Sequence, residues 1–263
     1  MKKHTIITGA STGLGRAFAI AFAQRGHHLV LVALPNEDLD KLAHQISEEY
    51  EVNVDFYEAD LSILSSIENL YSWLNSKQIN INFLVNNAGI GGSKLFQETD
   101  NEQLDNIIQL NVKGTTILTR TLLPMLMQHS TSYILNVSSI AAFSPLPYKM
   151  VYPATKAFIH SFSLGLKSEL AHKGVNVSVV NPGSMPTNKD ILQRIKSQEW
   201  LGKISFTNPE YVAQKAIEGI FAGKSVIVPG FINQINYWLF RVLPWSIIEP
   251  IASRTIRREI IHQ

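Results

Sequence analysis

Thr8-Gly9-Ala10-Ser11-Thr12-Gly13-Leu14-Gly15 stands between a short apolar strand pattern, Thr5–Thr8, and a helical pattern running from Leu14 to Arg25. Glycines at such a junction permit a tight turn and let the backbone approach a bulky ligand closely. The unpaired N–H groups that open the helix then attract an anion. A glycine cluster alone is a weak signal, and a plain turn is the competing reading. Its position after a first strand and before a first helix gives it weight.

Outward from this turn, strand and helix patterns alternate. Leu29–Ala33 is almost wholly apolar, as expected of a parallel strand buried on both faces. Asn36 is placed to cap the next helix, in which Leu39, Leu42, Ala43 and Ile46 fall at helical spacing. Val52, Val54 and Phe56 alternate as a strand, and Phe83–Val85, Tyr133–Val137, Val175–Val180 and Ser225–Val228 read as further strands. Helical stretches are expected at about 62–76, 101–128, 150–172 and 209–222. The expectation is an α/β fold with a doubly wound parallel sheet, a Rossmann fold with helices on both faces. One domain over 1–230 would include a small substrate lid at about 184–224, followed by an apolar, partly basic tail over 231–263.

The chain has 263 residues, 45% hydrophobic and 17% charged, enough for a sizeable core. Its net charge of +2 argues against a nucleic-acid partner. With no cysteine there is no disulfide, zinc-thiolate site or thiol nucleophile. The histidines lack metal-ligand spacing and read as surface or capping residues, so no metal site is expected. Lys2 and Lys3 are followed by too short an apolar run for a signal peptide, and no run is long enough to span a membrane. A cytoplasmic protein is the expectation.

Tyr152 and Lys156 share a helical face, four residues apart. A phenol with pKa near 10 is a poor acid or base at neutral pH, and a cation on the next turn favours the phenolate. That makes the tyrosine a usable general acid/base. Asn136-Val137-Ser138-Ser139 closes a buried strand, where open α/β sheets bind ligands, and a serine hydroxyl there can steady charge on a substrate oxygen. Gly9-x-Ser11-x-Gly13 also fits the nucleophile elbow of a hydrolase. Only one strand precedes Ser11, whereas that elbow follows several, so the hydrolase reading is set aside.

Together these features resemble the short-chain dehydrogenase/reductase family, in the family's order and over nearly the whole chain. The turn matches the family's cofactor loop through Gly9, Ser11, Thr12, Gly13, Leu14 and Gly15. Asn86-Asn87-Ala88-Gly89 matches its motif after the fourth strand, with Asn87, Ala88 and Gly89 implied at the cofactor. Asp60-Leu61 falls where the family meets the adenine, and Pro182-Gly183 with Thr187 where it meets the nicotinamide carboxamide. Asn111 matches the catalytic asparagine. Ser139 precedes Tyr152 by the family's thirteen residues and is chosen over Ser138. The resemblance implies hydride transfer between a carbonyl and an alcohol with NADP or NAD. Asn111, Ser139, Tyr152 and Lys156 are then catalytic, with Tyr152 and Lys156 also touching the cofactor. It also implies a homo-oligomer built on the helices near 101–128 and 150–172. Pro153 departs from the small residue usual there, which a first helical turn tolerates.

Ala33 stands where NAD-preferring members carry an acid, and neither Leu34 nor Thr12 is basic. NADP is the preferred expectation, with Ser11, Thr12 and Asn36 as neutral donors to a phosphate. Ile191, Leu192, Ile195, Trp200, Leu201, Ile204 and Phe206 make the lid apolar. They either pack the lid itself or line a pocket for a lipophilic substrate such as a long acyl or steroid-like ketone. The tail from Phe231 to Ile248 is rich in Trp, Phe, Leu and Ile, with Arg241, Arg254, Arg257 and Arg258 nearby. One reading packs it on its own core or a partner subunit; the other is a hairpin broken at Pro244 and Pro250 on a membrane surface. A bacterial branch of the family has a similar tail. The alternative function is a cofactor-binding regulatory or scaffold protein without turnover.

Overall fold

The computed structural model describes residues 4–92, 94–145, 151–185, 207–244 and 246–248. Seven parallel strands form one sheet in the order β3-β2-β1-β4-β5-β6-β7. They are β1 (His4–Thr8), β2 (His28–Ala33), β3 (Val54–Glu58), β4 (Ile81–Asn86), β5 (Ser132–Val137), β6 (Val175–Val180) and β7 (Val226–Ile227). The order reverses between β1 and β4, which leaves a crevice beyond their carboxyl ends, where open α/β sheets bind ligands.

Between the strands run α1 (Gly13–Ala23), α2 (Leu39–Tyr50), α3 (Leu64–Ser76), α4 (Asn101–Ile108), α5 (Thr115–Leu126), α6 (Val151–Leu170) and α7 (Pro209–Phe221); α8 (Phe231–Val242) follows β7. The strands are apolar on both faces because both are covered. On one face Ile7, Leu29, Leu31, Phe83 and Val85 pack against Phe18 and Phe22 of α1 and Val212 and Ile217 of α7. On the other, Ile6, Val30, Leu84 and Ile134 meet Leu70 and Leu74 of α3 and Leu118 and Leu122 of α5. Leu39, Leu42, Ala43 and Ile46, expected to face inward, are the buried residues of α2.

Three local expectations are corrected. Asn36 does not cap α2. It adopts a left-handed conformation, φ 65°, and its N–H donates to Glu58 Oε1 at 3.2 Å, so the edge of β3 claims it and Asp38 takes the cap position. The stretch 101–128 is not one α-helix: Gln109–Gly114 widens into a π-helical segment between α4 and α5. The histidines are not all surface residues. His27 bonds Thr5 and packs edge-on to Phe22, and His160 lies half-buried with its ring centroid 4.7 Å from that of Phe143. Burial lowers its pKa, with the nearby Arg241 charge acting in the same direction.

Candidate active site

The glycine turn closes on itself. A Cβ on Gly15 would stand 1.8 Å from Gly9 O, so no other residue fits there. Thr12 occupies the N-cap of α1 without a side-chain cap bond, and α1 therefore opens with amides free for an anion. Asn87 ties the turn to the end of β4: its Nδ2 donates to Thr8 O at 2.9 Å and Gly9 O at 3.1 Å. The N–H groups of Asn87 and Ala88 both donate to Thr8 Oγ1 at 2.9 Å. Uncapped amides over a glycine-rich turn form a donor set that fits a dinucleotide pyrophosphate.

A buried amide ladder sets the strand ends behind the site. Asn86 Nδ2 donates to Asn136 Oδ1 at 2.8 Å, and Asn136 Nδ2 donates to Ser163 Oγ of α6 at 2.9 Å. At the end of β5 the two serines diverge. Ser138 is buried and donates to Lys156 O at 2.7 Å. Ser139 is half-buried, accepts from Ala141 N–H at 3.1 Å as the cap of the short turn Ile140–Phe143, and its hydroxyl acts on the Tyr152 phenol to favour the ionised form.

Tyr152 and Lys156 lie on α6, whose start at Val151 places Pro153 in the first turn, where its missing N–H breaks no helical bond. Lys156 is buried, donates to Val137 O at 3.0 Å, and holds Nζ 5.7 Å from the centroid of the Tyr152 ring. Burial lowers the Lys156 pKa to about 8. Burial also raises the Tyr152 pKa, with the Ser139 hydroxyl working against it. The sequence reading had the lysine lowering the phenol's pKa. In the free protein desolvation of the phenol dominates instead, and the amine itself is pulled toward its neutral form.

Asn111 lies in the π segment, 1% exposed. Its Oδ1 accepts from Ile90 N–H at 2.9 Å, and its Nδ2 donates to Ile90 O at 2.8 Å and to Thr155 Oγ1 at 3.0 Å. Thr155 in turn donates to Tyr152 O at 2.7 Å. Thr155, absent from the sequence reading, thus joins Asn111 to the tyrosine; the only signal was a hydroxyl next to Lys156. Gly91 was also missed. A Cβ there would come within 2.9 Å of the Tyr152 ring, so the loop after β4 lies flat against the phenol.

Two more of the expected sets follow the carboxyl ends of β3 and β6. Asp60, just past β3, accepts from Ser62 N–H and Oγ at 2.9 and 2.7 Å, and Leu61 beside it is buried. Pro182 O accepts from Ile140 N–H at 3.0 Å, pinning Pro182-Gly183 to the Ser139 turn. Thr187 and the apolar lid residues 191–206 lie outside the described residues. At the far end, Ser11 Oγ donates to Glu37 Oε2. That hydroxyl, taken as a free donor from the sequence, is engaged by a carboxylate the sequence reading did not place there.

Residues 3–199 match the family model for short chain dehydrogenase. The chain is 30% identical over 260 residues to a very-long-chain 3-oxoacyl-CoA reductase of Anas platyrhynchos, covering 95% of this chain and 78% of that protein. A short-chain dehydrogenase from Sphingobium yanoikuyae, solved in complex with NADPH, superposes with a TM-score of 0.77 at 30% identity, over 93% of this chain and 97% of that one. The bulky-bulky ketone specific alcohol dehydrogenase from Comamonas testosteroni gives a TM-score of 0.76 at 29% identity, over 93% and 95%.

Proposed function

The chain belongs to the short chain dehydrogenase family and is an oxidoreductase acting on CH–OH groups with NAD(P), and from that premise we propose that it interconverts a lipophilic ketone and its secondary alcohol through Tyr152. The observation that carries the reading is the buried Lys156 amine held 5.7 Å from the Tyr152 ring at the end of the strand that Ser139 follows.

The dinucleotide, when bound, supplies or accepts the hydride. The amides at Gly13, Leu14 and Gly15 would hold its pyrophosphate, Asp60 and Leu61 its adenine end, and Asn87, Ala88 and Gly89 would lie beside it. Pro182 and Gly183 border the nicotinamide end, with Thr187 as the sequence-derived partner there. In reduction Tyr152 gives its proton to the carbonyl oxygen; in oxidation it takes the proton from the hydroxyl. Ser139 holds that same oxygen. Lys156, as a cation, favours the phenolate that reduction leaves behind. Asn111 fixes the loop at Ile90 and, through Thr155, the helix that carries Tyr152.

The bulky ketone and long acyl substrates named for the two relatives support a lipophilic substrate, as does the apolar composition of the lid. NADP(H) is the proposed preference, supported by Ala33 at the end of β2 and the NADPH complex of the Sphingobium protein, with the Glu37 carboxylate near Ser11 working against it. Exposed Ile108 on α4 and Phe158 on α6, the latter stacked on Phe162, support a homo-oligomer across these helices, which light scattering tests.

The test is NADPH consumption with a panel of bulky aryl, acyl and steroid-like ketones, wild type against Tyr152→Phe. Turnover lost in the variant with cofactor binding retained is expected. Tight cofactor binding without turnover on any ketone or alcohol would instead favour a cofactor-binding protein that performs no chemistry.

A further inference from the structure

Helix α8 carries its side chains in the reverse of the usual order. Its buried positions are Asn233 and Tyr237, whereas Phe231, Ile235, Trp238, Leu239 and Val242 are exposed by 74, 40, 63, 44 and 74%. At about 100° per residue these five fall in one stripe roughly 100° wide. A helix that covers its own core puts such a stripe inward. Here the inward side is held by specific contacts instead. Asn233 Nδ2 donates to Pro229 O at 3.0 Å, and the Tyr237 ring meets Phe143 edge-on with centroids 4.8 Å apart. Arg241 donates to the Tyr237 hydroxyl and lies over its ring. The helix is therefore fastened to the body by one side while its apolar side faces outward.

We propose that this stripe docks the protein on the surface of an anionic phospholipid bilayer. Area argues against a second copy as the occupant. Twelve residues make a strip about 18 Å long and one helix wide, well short of the roughly 800 Å² per partner of a stable interface. A bilayer needs no matching shape, only apolar depth and compatible charge. Residues 219–248 contain no Asp or Glu, and their charges are Lys224 and Arg241. Arg241 falls along one flank of the stripe, and the sequence beyond adds Arg254, Arg257 and Arg258 against Glu249 and Glu259. Trp238 within the stripe and Arg241 at its margin match the composition of an interfacial helix lying in the membrane plane. Among the described residues no helix is long and apolar enough to cross a membrane, so the contact is with the surface. The inference does not require turnover.

The experiment is flotation of the full chain with vesicles of phosphatidylcholine and with vesicles of equimolar phosphatidylcholine and phosphatidylglycerol. Wild type is expected to float with the anionic vesicles and less with the neutral ones. Trp238→Ser with Val242→Ser, both exposed, the Trp238 ring touching that of the adjacent Tyr237, should weaken partitioning by roughly tenfold or more. Phe56→Ser, an exposed apolar residue on the opposite edge strand, should leave it unchanged. Wild type that stays behind with both vesicles overturns the proposal, as does a double variant that floats like wild type. A double variant whose mass in light scattering drops to half that of a non-floating wild type overturns it in favour of a second copy.

Discussion

Asn111 and Ile90 grip one another through paired hydrogen bonds, N–H to Oδ1 at 2.9 Å and Nδ2 to carbonyl at 2.8 Å, so a side chain in a helix completes the backbone of a loop as a neighbouring strand would. Asn111→Ala leaves both Ile90 groups and the Thr155 hydroxyl short of a partner. An unmet buried polar group costs about 1–3 kcal/mol. The variant should unfold at clearly lower temperature by circular dichroism as well as lose activity. An unchanged Tm would show that the grip contributes nothing to stability.

Thr155 bonds Tyr152 O and Asn111 Nδ2 with one hydroxyl. Thr155→Val keeps the shape and removes the hydroxyl, and should lower kcat by roughly tenfold while KM stays close to wild type, because misplacement of the acid affects the transition state. Thr155→Ser should restore most of the rate. Equal loss in both variants would mean the methyl, rather than the hydroxyl, is what matters.

Gly91 lies so close to the Tyr152 ring that an added Cβ would sit 2.9 Å from it. Gly91→Ala should push the phenol off its position and depress kcat, again by about tenfold or more. Dinucleotide affinity should hold, since the glycine turn is remote from the change. Isothermal titration with NADPH separates the two effects, and weakened binding with intact kcat would contradict the assignment.

Lys156 has a folded pKa of about 8, lowered from 10.5 by burial. The folded state therefore binds fewer protons than the unfolded chain between these values, and stability rises with pH across that window. Stability is lost as pH falls through about 8, where the buried ammonium must be carried at full charge. Lys156→Met should abolish turnover and yet raise the Tm at pH 7, by a free energy on the order of 1–3 kcal/mol. It should also flatten the rise in stability between pH 8 and 10. A Tm at neutral pH no higher than wild type would rule out a net burial penalty.

Glu37 accepts from Ser11 in the glycine turn, next to where β2 ends. A carboxylate there opposes a second phosphate on the adenosine ribose by like charge. Glu37→Gln should shift relative affinity toward NADPH over NADH by several-fold, about what one partly screened charge supplies. Titrating both dinucleotides by fluorescence gives the ratio, and a shift toward NADH would place the carboxylate elsewhere.

The sheet was legible because its strands are continuous apolar runs and its helices carry apolar faces at their own period. Leu29–Ala33 and the buried face of α2 show this most directly. The π segment was not legible. Its extra residue has no compositional mark, and the register slip emerges only when Asn111 is seen gripping Ile90. Asn36 failed as a cap because the edge of β3, distant in sequence, competed for it. Within the site, Tyr152, Lys156 and a serine at the end of β5 could be argued from chemistry and spacing, whereas Ser139 over Ser138 and Asn111 came from family likeness. Gly91 and Glu37 escaped because each acts across a contact of long sequence separation.

The widened turn at Gln109–Gly114 holds one residue more than regular α-helix would use. Loss of a single residue there would let α4 and α5 close into ordinary turns with their flanking faces still in phase. The sheet and its covering helices would persist, while nothing would remain to reach Ile90 and Thr155. A chain shortened by one residue in this segment would therefore keep its sheet and covering helices while losing the side chain that ties the loop at Ile90 to the helix of Tyr152.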